Sequence, residues 1–490
     1  MNLDLVLPAP LNPPFPERAR VADLGRVHFV GVGGAGMSAI ALLMAQLGVP
    51  VSGSDRAESA NLQSLRQAGV RVSVPQDAVN IHDVDTVVIS TAIHEDNPEL
   101  VKARELGLPV LHRSEALAAV MGDSQVVAVA GTHGKSTTSS MISVMFDGLN
   151  AKPSFAVGTV IAGFGTNARL GATGPGSWFV AEADESDGSF VRYRPKVAVV
   201  TNIEPDHIDF YGTAERVYEA FNRFVASMVP DGVLITCADD AGAVSLAQRS
   251  RAAGLQVLTY GESEDADVRL SQITSHGSQS SSVLSWSFDL AGQHYSGEQE
   301  LNLQVPGVHN QLNAAASFAT ALVAGARPAD AASALGGFVG ADRRFTLRGE
   351  IAGIKVFDDY AHHPTEVLCA LQTGRTVAGG HNLYVVFQPH LFSRTKEFAQ
   401  EFAQALSLAD RAYVLDIYPA REEPIEGAGF SEVHYASDAT VAIDDIVTCA
   451  SAGDIVMTVG AGDVTALGER FLEALTSRHG ASGEGEAGTE

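Results

Sequence analysis

Regular patterning begins at Val27-His28-Phe29-Val30, a short and largely apolar stretch. It breaks into glycines and resumes as an apolar run from Met37 to Leu47, closed by Gly48 and Pro50. The first run predicts a buried strand and the longer one a helix. The alternation repeats: a strand near Val51 ends in Gly53-Ser54-Asp55, residues 61–68 read as helix, 85–90 as strand and 98–106 as helix. Strands alternating with helices predict a parallel sheet with helices on both faces.

A second series starts at Gln125. Residues 126–130 form an apolar strand, followed by GTHGKSTT and a helix. Strands at 178–181 and 197–201 each end in polar residues, where ligands sit in open α/β sheets. From Glu262 to Leu303 the pattern changes to serine-rich alternating segments such as VLSWSFDL, which predict antiparallel hairpins added to the α/β unit. A third series begins near Arg348, with strands at 354–358, 383–387, 412–416 and 454–459 and helical patterns between them. The first 20 residues are proline-rich and predict a loose arm; the last eleven, GASGEGEAGTE, predict a disordered tail.

Composition narrows the function classes. At about 150 residues per domain, 490 residues predict three domains. With 58 acidic against 32 basic residues the formal charge is −26, which excludes the positive footprint of a nucleic-acid or membrane-surface protein. No apolar stretch reaches the roughly 18 residues that a membrane span needs, so no membrane insertion is expected. The start has no basic region before its short apolar run, so it is not read as a signal peptide. Cys237, Cys369 and Cys449 lie far apart and form no CxxC pair, so a reducing, cytoplasmic setting is expected. An acidic chain binds anions through local devices: glycine loops, helix N-termini, a few cations or a metal.

Two glycine motifs are such devices. Gly31-Val32-Gly33-Gly34-Ala35-Gly36 follows a strand and opens a helix, with Asp55 ending the next strand. The pattern fits NAD or another diphosphate such as a UDP-sugar, or a tight turn with no ligand, and alone it does not choose. The stronger motif is Gly131-Thr132-His133-Gly134-Lys135-Ser136-Thr137-Thr138 between strand and helix. Backbone N–H groups can cradle phosphate there, Lys135 can neutralise it and Ser136 can reach Mg²⁺. It departs from the usual phosphate loop in having Val129, not glycine, five positions before Gly134.

Two acidic clusters follow at strand ends: Glu182-Ala183-Asp184-Glu185-Ser186-Asp187 and Asn202-Ile203-Glu204-Pro205-Asp206-His207. Each alone is an ordinary polar turn, and histidine is a soft ligand for Mg²⁺. Their joint placement after a phosphate loop is what a divalent cation needs. Asn310 and Asn313 share a helix face that suits an adenine or ribose, or a cap. Arg343-Arg344 suits phosphate, Asp358-Asp359-Tyr360-Ala361-His362-His363 a small zwitterion or metal, and Arg394, after Gln388-Pro389-His390, a carboxylate.

In this order, GVGGAGMS, GTHGKST, EADESD, TNIEPDH, HNQLNAA, RRF and DDYAHHPTEV resemble the motifs of the Mur ligases of peptidoglycan synthesis, over nearly the whole chain from Arg26 to Leu475. GVGGAGMS resembles the member that adds the first amino acid. The resemblance implies an α/β fold of three domains: an N-terminal Rossmann-like domain binding a UDP-sugar (21–124), a central P-loop-type ATPase with added antiparallel strands (125–346) and a C-terminal Rossmann-like domain (347–478), flanked by the arm 1–20 and the tail 479–490.

It further implies an ATP-dependent ligase joining the lactyl carboxylate of UDP-N-acetylmuramate to L-alanine through an acyl phosphate, working as a monomer or weak homodimer. By position, Gly33, Gly34, Ala35, Gly36, Met37 and Ser38 would hold the UDP diphosphate, with Asp55 and Ser90-Thr91-Ala92 nearby. Residues 131–137, Asn310, Asn313, Arg344 and Asp359 would bind ATP. Ser136, Glu182 and His207 would hold two Mg²⁺ ions, with Mn²⁺ an alternative, and Tyr360, His362 and Arg394 would lie near the alanine, His362 as the base. There are two departures from the family. No lysine occurs in 209–224, where members acting on later amino acids carry a carbamylated one. Leu391 stands after Gln388-Pro389-His390 where some alanine-adding members have arginine.

Overall fold

Three sheets organise the chain in the computed structural model, which describes residues 18–420, 422–425, 434–436 and 438–481. The first has five strands in the order Arg71–Ser73, Val51–Ser54, Val27–Val30, Thr86–Ile89, Val110–His112, all parallel. Chain direction across the sheet reverses between Val27–Val30 and Thr86–Ile89, which opens a crevice at their carboxyl ends. The Gly31–Gly36 loop and Ser90-Thr91-Ala92 both leave from those ends.

The second sheet has ten strands. Its middle runs Val233–Cys237, Val197–Val200, Gln125–Ala130, Trp178–Glu182, Ser154–Ile161, paired in parallel. Gln125–Ala130 is buried from its second residue on, as a strand covered on both faces should be. Its neighbours place the Glu182 and Asn202 strand ends on either side of the phosphate loop. The serine-rich segment adds Val268–His276, Gln279–Leu290 and Gln293–Leu303 at one edge, joined by two-residue turns that make neighbours antiparallel. The helix Ala214–Ala226 covers the sheet with Val217, Ala220, Phe221, Phe224 and Val225, the spacing of one apolar face. Phe190 lies 5.5 Å from Phe221 and 4.9 Å from Phe224, ring to ring.

The third sheet orders Thr346–Ile351, Ile354–Asp359, Ile455–Val459, Leu383–Phe387, Arg411–Val414, His434–Tyr435. Only the edge strand Thr346–Ile351, which the sequence pattern did not reveal, runs antiparallel to its neighbour. The chain forms two compact units: one takes residues up to Ile273 with 281–303 and 311–338, the other 274–280, 304–310 and everything from Val339. Arg343 and Arg344 fall in the second unit.

Of the expected loose arm, residues 1–17 lie outside the described residues; Arg18 donates to the Gly122 carbonyl at 2.7 Å and to the carbonyls of Tyr193 and Arg194. The last helix, Leu467–Ala481, runs three residues into the expected tail, and 482–490 lie outside the described residues. The three cysteines are free thiols.

Candidate functional site

In the first sheet the glycine loop is held from one side. The Gly33 N–H donates to Asp55 Oδ2 at 2.7 Å, and the Gly33 carbonyl accepts from Asn61 at 2.8 Å. A Cβ on Gly33 would lie 2.7 Å from Asp55 Oδ2, which is why this position excludes a side chain. The helix Ala35–Gln46 starts at Gly34 with no side-chain cap, so no capping side chain takes up its first N–H groups, an arrangement suited to an anion. Met37 and Ser38 are buried, and Ser38 Oγ donates to the Ala35 carbonyl, so what these two offer a diphosphate is backbone. Across the crevice Ile93, just past Ser90-Thr91-Ala92, comes within 3.1 Å of where a Gly31 Cβ would be.

In the second sheet the phosphate loop is fixed by the neighbouring strand end. Thr132 N–H donates to the Asn202 carbonyl (3.1 Å), His133 N–H to Asn202 Oδ1 (2.8 Å), and Thr132 Oγ1 to the Glu204 carbonyl (3.1 Å). Gly131 has φ 132° and a Cβ there would sit 2.1 Å from Thr201 Oγ1; Gly134 has φ 82° and a Cβ would sit 2.8 Å from Asn313 Oδ1. Asn313 thus lies against the loop. Thr137 is buried in the first turn of the helix Lys135–Gly148.

Lys135 Nζ donates to the carbonyls of Gly131 (2.6 Å) and Thr132 (3.1 Å) and to Glu185 Oε1 (2.9 Å). Burial lowers its proton affinity, but Glu185 and Asp184 facing it more than restore it, and it stays a cation above its ordinary value. Ser136 Oγ donates to Glu182 Oε1 at 3.0 Å, and Glu182 Oε2 accepts from Gly158 N–H at 2.5 Å. His207, at φ 55°, brings Nε2 to 3.8 Å from both Glu185 Oε1 and Asp206 Oδ2.

Two residues absent from the sequence assignment enter here. Glu185 joins Lys135 to His207 and, among the described residues, its buried Oε2 has no hydrogen bond. Burial pushes its carboxyl above the usual range, against the pull of Lys135. Arg113 reaches from the first sheet to Asp184 (2.8 Å) and Asp187 (3.2 Å). Four carboxylates in six residues were visible in the sequence, but spacing alone does not say which one a distant cation takes.

The second compact unit gathers its own cluster. Asp359 accepts from the Phe345 and Ala361 N–H groups at 2.8 and 2.7 Å, and burial raises its carboxyl to about 6. Asp358 accepts from Arg348 at 2.8 Å and from Thr458 and Thr465 at 2.8 Å each. The Arg343 and Arg344 guanidiniums lie 4.8 and 5.5 Å from the Tyr360 ring centre. Arg344 also approaches Glu366 at 3.8 Å.

His362 Nδ1 lies 3.1 Å from the Tyr360 carbonyl and 3.3 Å from Glu366 Oε2, both acceptors, so Nδ1 carries the hydrogen and Nε2 is the basic nitrogen. Burial, with Arg394 and Arg344 close, lowers this imidazole to about 4 despite Glu366. Its ring meets Tyr360 at 5.2 Å and His390 at 5.6 Å. Arg394 is buried in the helix Phe392–Glu397, whose preceding residue Leu391 has φ 70°. Asn310 donates to the Pro306 carbonyl at 2.7 Å.

Residues 26–125 match the catalytic domain of the Mur ligase family, 129–321 the Mur ligase middle domain and 343–462 the Mur ligase glutamate ligase domain. The UDP-N-acetylmuramate–L-alanine ligase of Paenarthrobacter aurescens is 54% identical over 93% of this chain and 98% of its own. The solved UDP-N-acetylmuramate-alanine ligase of Thermotoga maritima superposes with a TM-score of 0.75 at 29% identity, covering 93% of this chain and 99% of that one. A murein peptide ligase of Psychrobacter arcticus follows at 0.68 and 26%, covering 92% and 98%.

Proposed function

The chain belongs to the Mur ligase family, and from that premise we propose how its residues join UDP-N-acetylmuramate to L-alanine with ATP. The reaction is that of an ATP-dependent ligase of peptidoglycan precursor synthesis, running through an acyl phosphate. The observation that carries the assignment of roles is the phosphate loop with Lys135, and Ser136 paired to Glu182 at 3.0 Å. The division into domains 21–124, 125–346 and 347–478, a cytoplasmic location and a monomeric or weakly dimeric chain are parts of the same reading.

A hydroxyl and a carboxylate side by side at a phosphate loop are hard oxygen donors, and they suit Mg²⁺. Ser136 and Glu182 would hold one ion; His207 with Glu182 would hold a second, and the unpartnered Glu185 Oε2 beside His207 fits that need. When bound, Mg²⁺ supplies charge neutralisation on the transferring phosphoryl group.

The residues then do the following. Residues 131–137 cradle the ATP phosphates, and Lys135 moves from Glu185 to the γ-phosphate as the lactyl carboxylate oxygen attacks its phosphorus and ADP leaves. Asn310, Asn313, Arg344 and Asp359 hold the nucleotide. Gly33 to Ser38 hold the UDP diphosphate by backbone, with Asp55 fixing the loop and Ser90-Thr91-Ala92 closing its other side. Arg394 clamps the alanine carboxylate, and Tyr360 lies beside it. The amine attacks the acyl carbon of the acyl phosphate, the C–O bond to phosphate breaks and inorganic phosphate leaves as the amide forms, and His362, neutral at pH 7, accepts the amine's proton on Nε2.

The test is phosphate release with ATP and Mg²⁺, supplying UDP-N-acetylmuramate with L-alanine, glycine, L-serine, D-glutamate or the recycling tripeptide, and weighing the product. Release that needs both the UDP-sugar and L-alanine, with a product one alanine heavier, is expected. Release with the tripeptide alone would move the chain to peptide recycling.

A further inference from the structure

Arg113 is the first residue of the helix Arg113–Met121, directly after the strand Val110–His112 at the carboxyl edge of the first sheet. Its guanidinium faces two ways. Nη2 donates to Asp184 and Asp187 in the acidic loop of the second sheet, at 2.8 and 3.2 Å. Nη1 lies 3.5 Å from where a Cβ on Gly36 would be, against the uncapped start of the helix Ala35–Gln46. Among the described residues, Nη1 and Nε have no protein hydrogen bond. The group is mostly buried, at 22% side-chain exposure. A buried arginine with unused donors beside uncapped helix N–H groups is built for an anion.

The charge around it gives the reason. Glu182, Asp184, Glu185 and Asp187 lie within six residues, and two of the incoming substrates, ATP and the UDP-sugar, are anions. Ser136 and Gly158 occupy Glu182 and Lys135 occupies Glu185; Arg113 pairs with the remaining two, which also accept from the Ser186 and Ser189 N–H groups, with His112 Nε2 3.4 Å from Asp187. Asp184 also faces Lys135. Asn167, in the strand Thr166–Arg169 of the second sheet, donates to the Ala35 carbonyl at 3.2 Å, so the second sheet also touches the start of that helix.

We propose that Arg113 is a substrate-positioning residue. It donates Nη1 and Nε to the UDP diphosphate at the first glycine loop, while Nη2 screens Asp184 and Asp187 so that the rest of the anionic sugar nucleotide can approach the phosphate loop. The inference rests on the ligase reading above and adds a residue to it.

The experiment compares wild type, Arg113→Lys and Arg113→Ala by phosphate release, varying UDP-N-acetylmuramate and ATP separately at two salt concentrations, with a thermal melt of each. Two hydrogen bonds to a charged group lost predict a roughly 10- to 100-fold higher KM for the UDP-sugar in Arg113→Ala, a KM for ATP within about threefold, and a weaker salt dependence of the UDP-sugar KM. Arg113→Lys keeps the charge but loses the fork, and falls between. An unchanged UDP-sugar KM in a folded variant, or equal rises in both KM values, overturns the proposal. If Arg113→Ala does not fold, Arg113→Lys with a wild-type melt decides by the same two KM values. Wild type turning over without need of UDP-N-acetylmuramate would sink the ligase reading instead.

Discussion

Removing Lys135 should act on stability and catalysis through different atoms. Its Nζ lies 2.9 Å from Glu185 Oε1, with side-chain exposures of 15% and 3%. Lys135→Ala leaves the Glu185 charge buried beside Asp184 and without its cation. Breaking a buried pair from one side costs about 3–5 kcal/mol. At roughly 2–4 °C per kcal/mol for a large domain, the melt of the first compact unit should fall by roughly 6–20 °C.

The deficit has a pH signature. Glu185 already holds its proton more tightly folded than unfolded, because of burial. Without Lys135 that affinity rises further. A carboxyl raised in the folded state gives full stability below its unfolded value and loses it as pH climbs through the folded one. The variant should therefore be nearest wild type at pH 5 and worst at pH 9, falling by at most about 1.4 kcal/mol per pH unit.

Glu185→Gln added to Lys135→Ala removes the buried charge and should restore most of the melt. It should not restore turnover, which lacks the phosphate-neutralising cation and should stay at least about 100-fold down. The assay is thermal melting from pH 5 to 9 in metal-free buffer, with phosphate release measured alongside. A deficit that does not vary with pH, or a double variant as unstable as the single one, would refute this reasoning.

Asp55→Ala frees the Gly33 N–H and should raise the KM for the UDP-sugar roughly tenfold while leaving that for ATP nearly unchanged; separate titrations of the two substrates check it. Gly131→Ala would force a Cβ to 2.1 Å from Thr201 Oγ1 at φ 132°, so the loop must shift; the expected loss is at least about 2 kcal/mol, with ATP binding weakened, read by melting and ATP calorimetry. Asp359, raised by burial from 3.8 to about 6, favours the fold below pH 4 and loses that contribution as pH rises through 6. At about 1.4 kcal/mol per unit, that is about 3 kcal/mol, so Asp359→Asn should flatten the melting profile between pH 4 and 7; an unchanged profile would show that Asp359 is not its source. His362→Gln removes the basic Nε2 and should lower kcat by about 100-fold or more with little effect on phosphate-loop binding of ATP; an unchanged kcat would remove it as the base.

Local order was legible because its causes are local. Gln125–Ala130 had to be a central strand, since an apolar run of that length is stable only when covered on both faces. Gly131 and Gly134 had to be glycine, since their positive φ and the atoms against them exclude a side chain. The helix Ala214–Ala226 announced its buried face in its spacing. The antiparallel edge strand Thr346–Ile351 gave no such signal, because half-exposed alternation at a sheet edge resembles a polar connection.

The order of glycine, lysine, acidic and histidine motifs was likewise fixed by sequence, and with it the family and its chemistry. What only the tertiary structure decided is which charge neutralises which. Lys135 chooses Glu185 over Glu182, 50 residues against 47 along the chain, and Arg113 crosses from one sheet to the acidic loop of another, 71 residues away. Spacing fixes which side chains share a strand end or a helix face. Coulomb energy depends on distance and burial in space; the first pairing is set when adjacent strands of one sheet pair, and the second only when the two sheets pack.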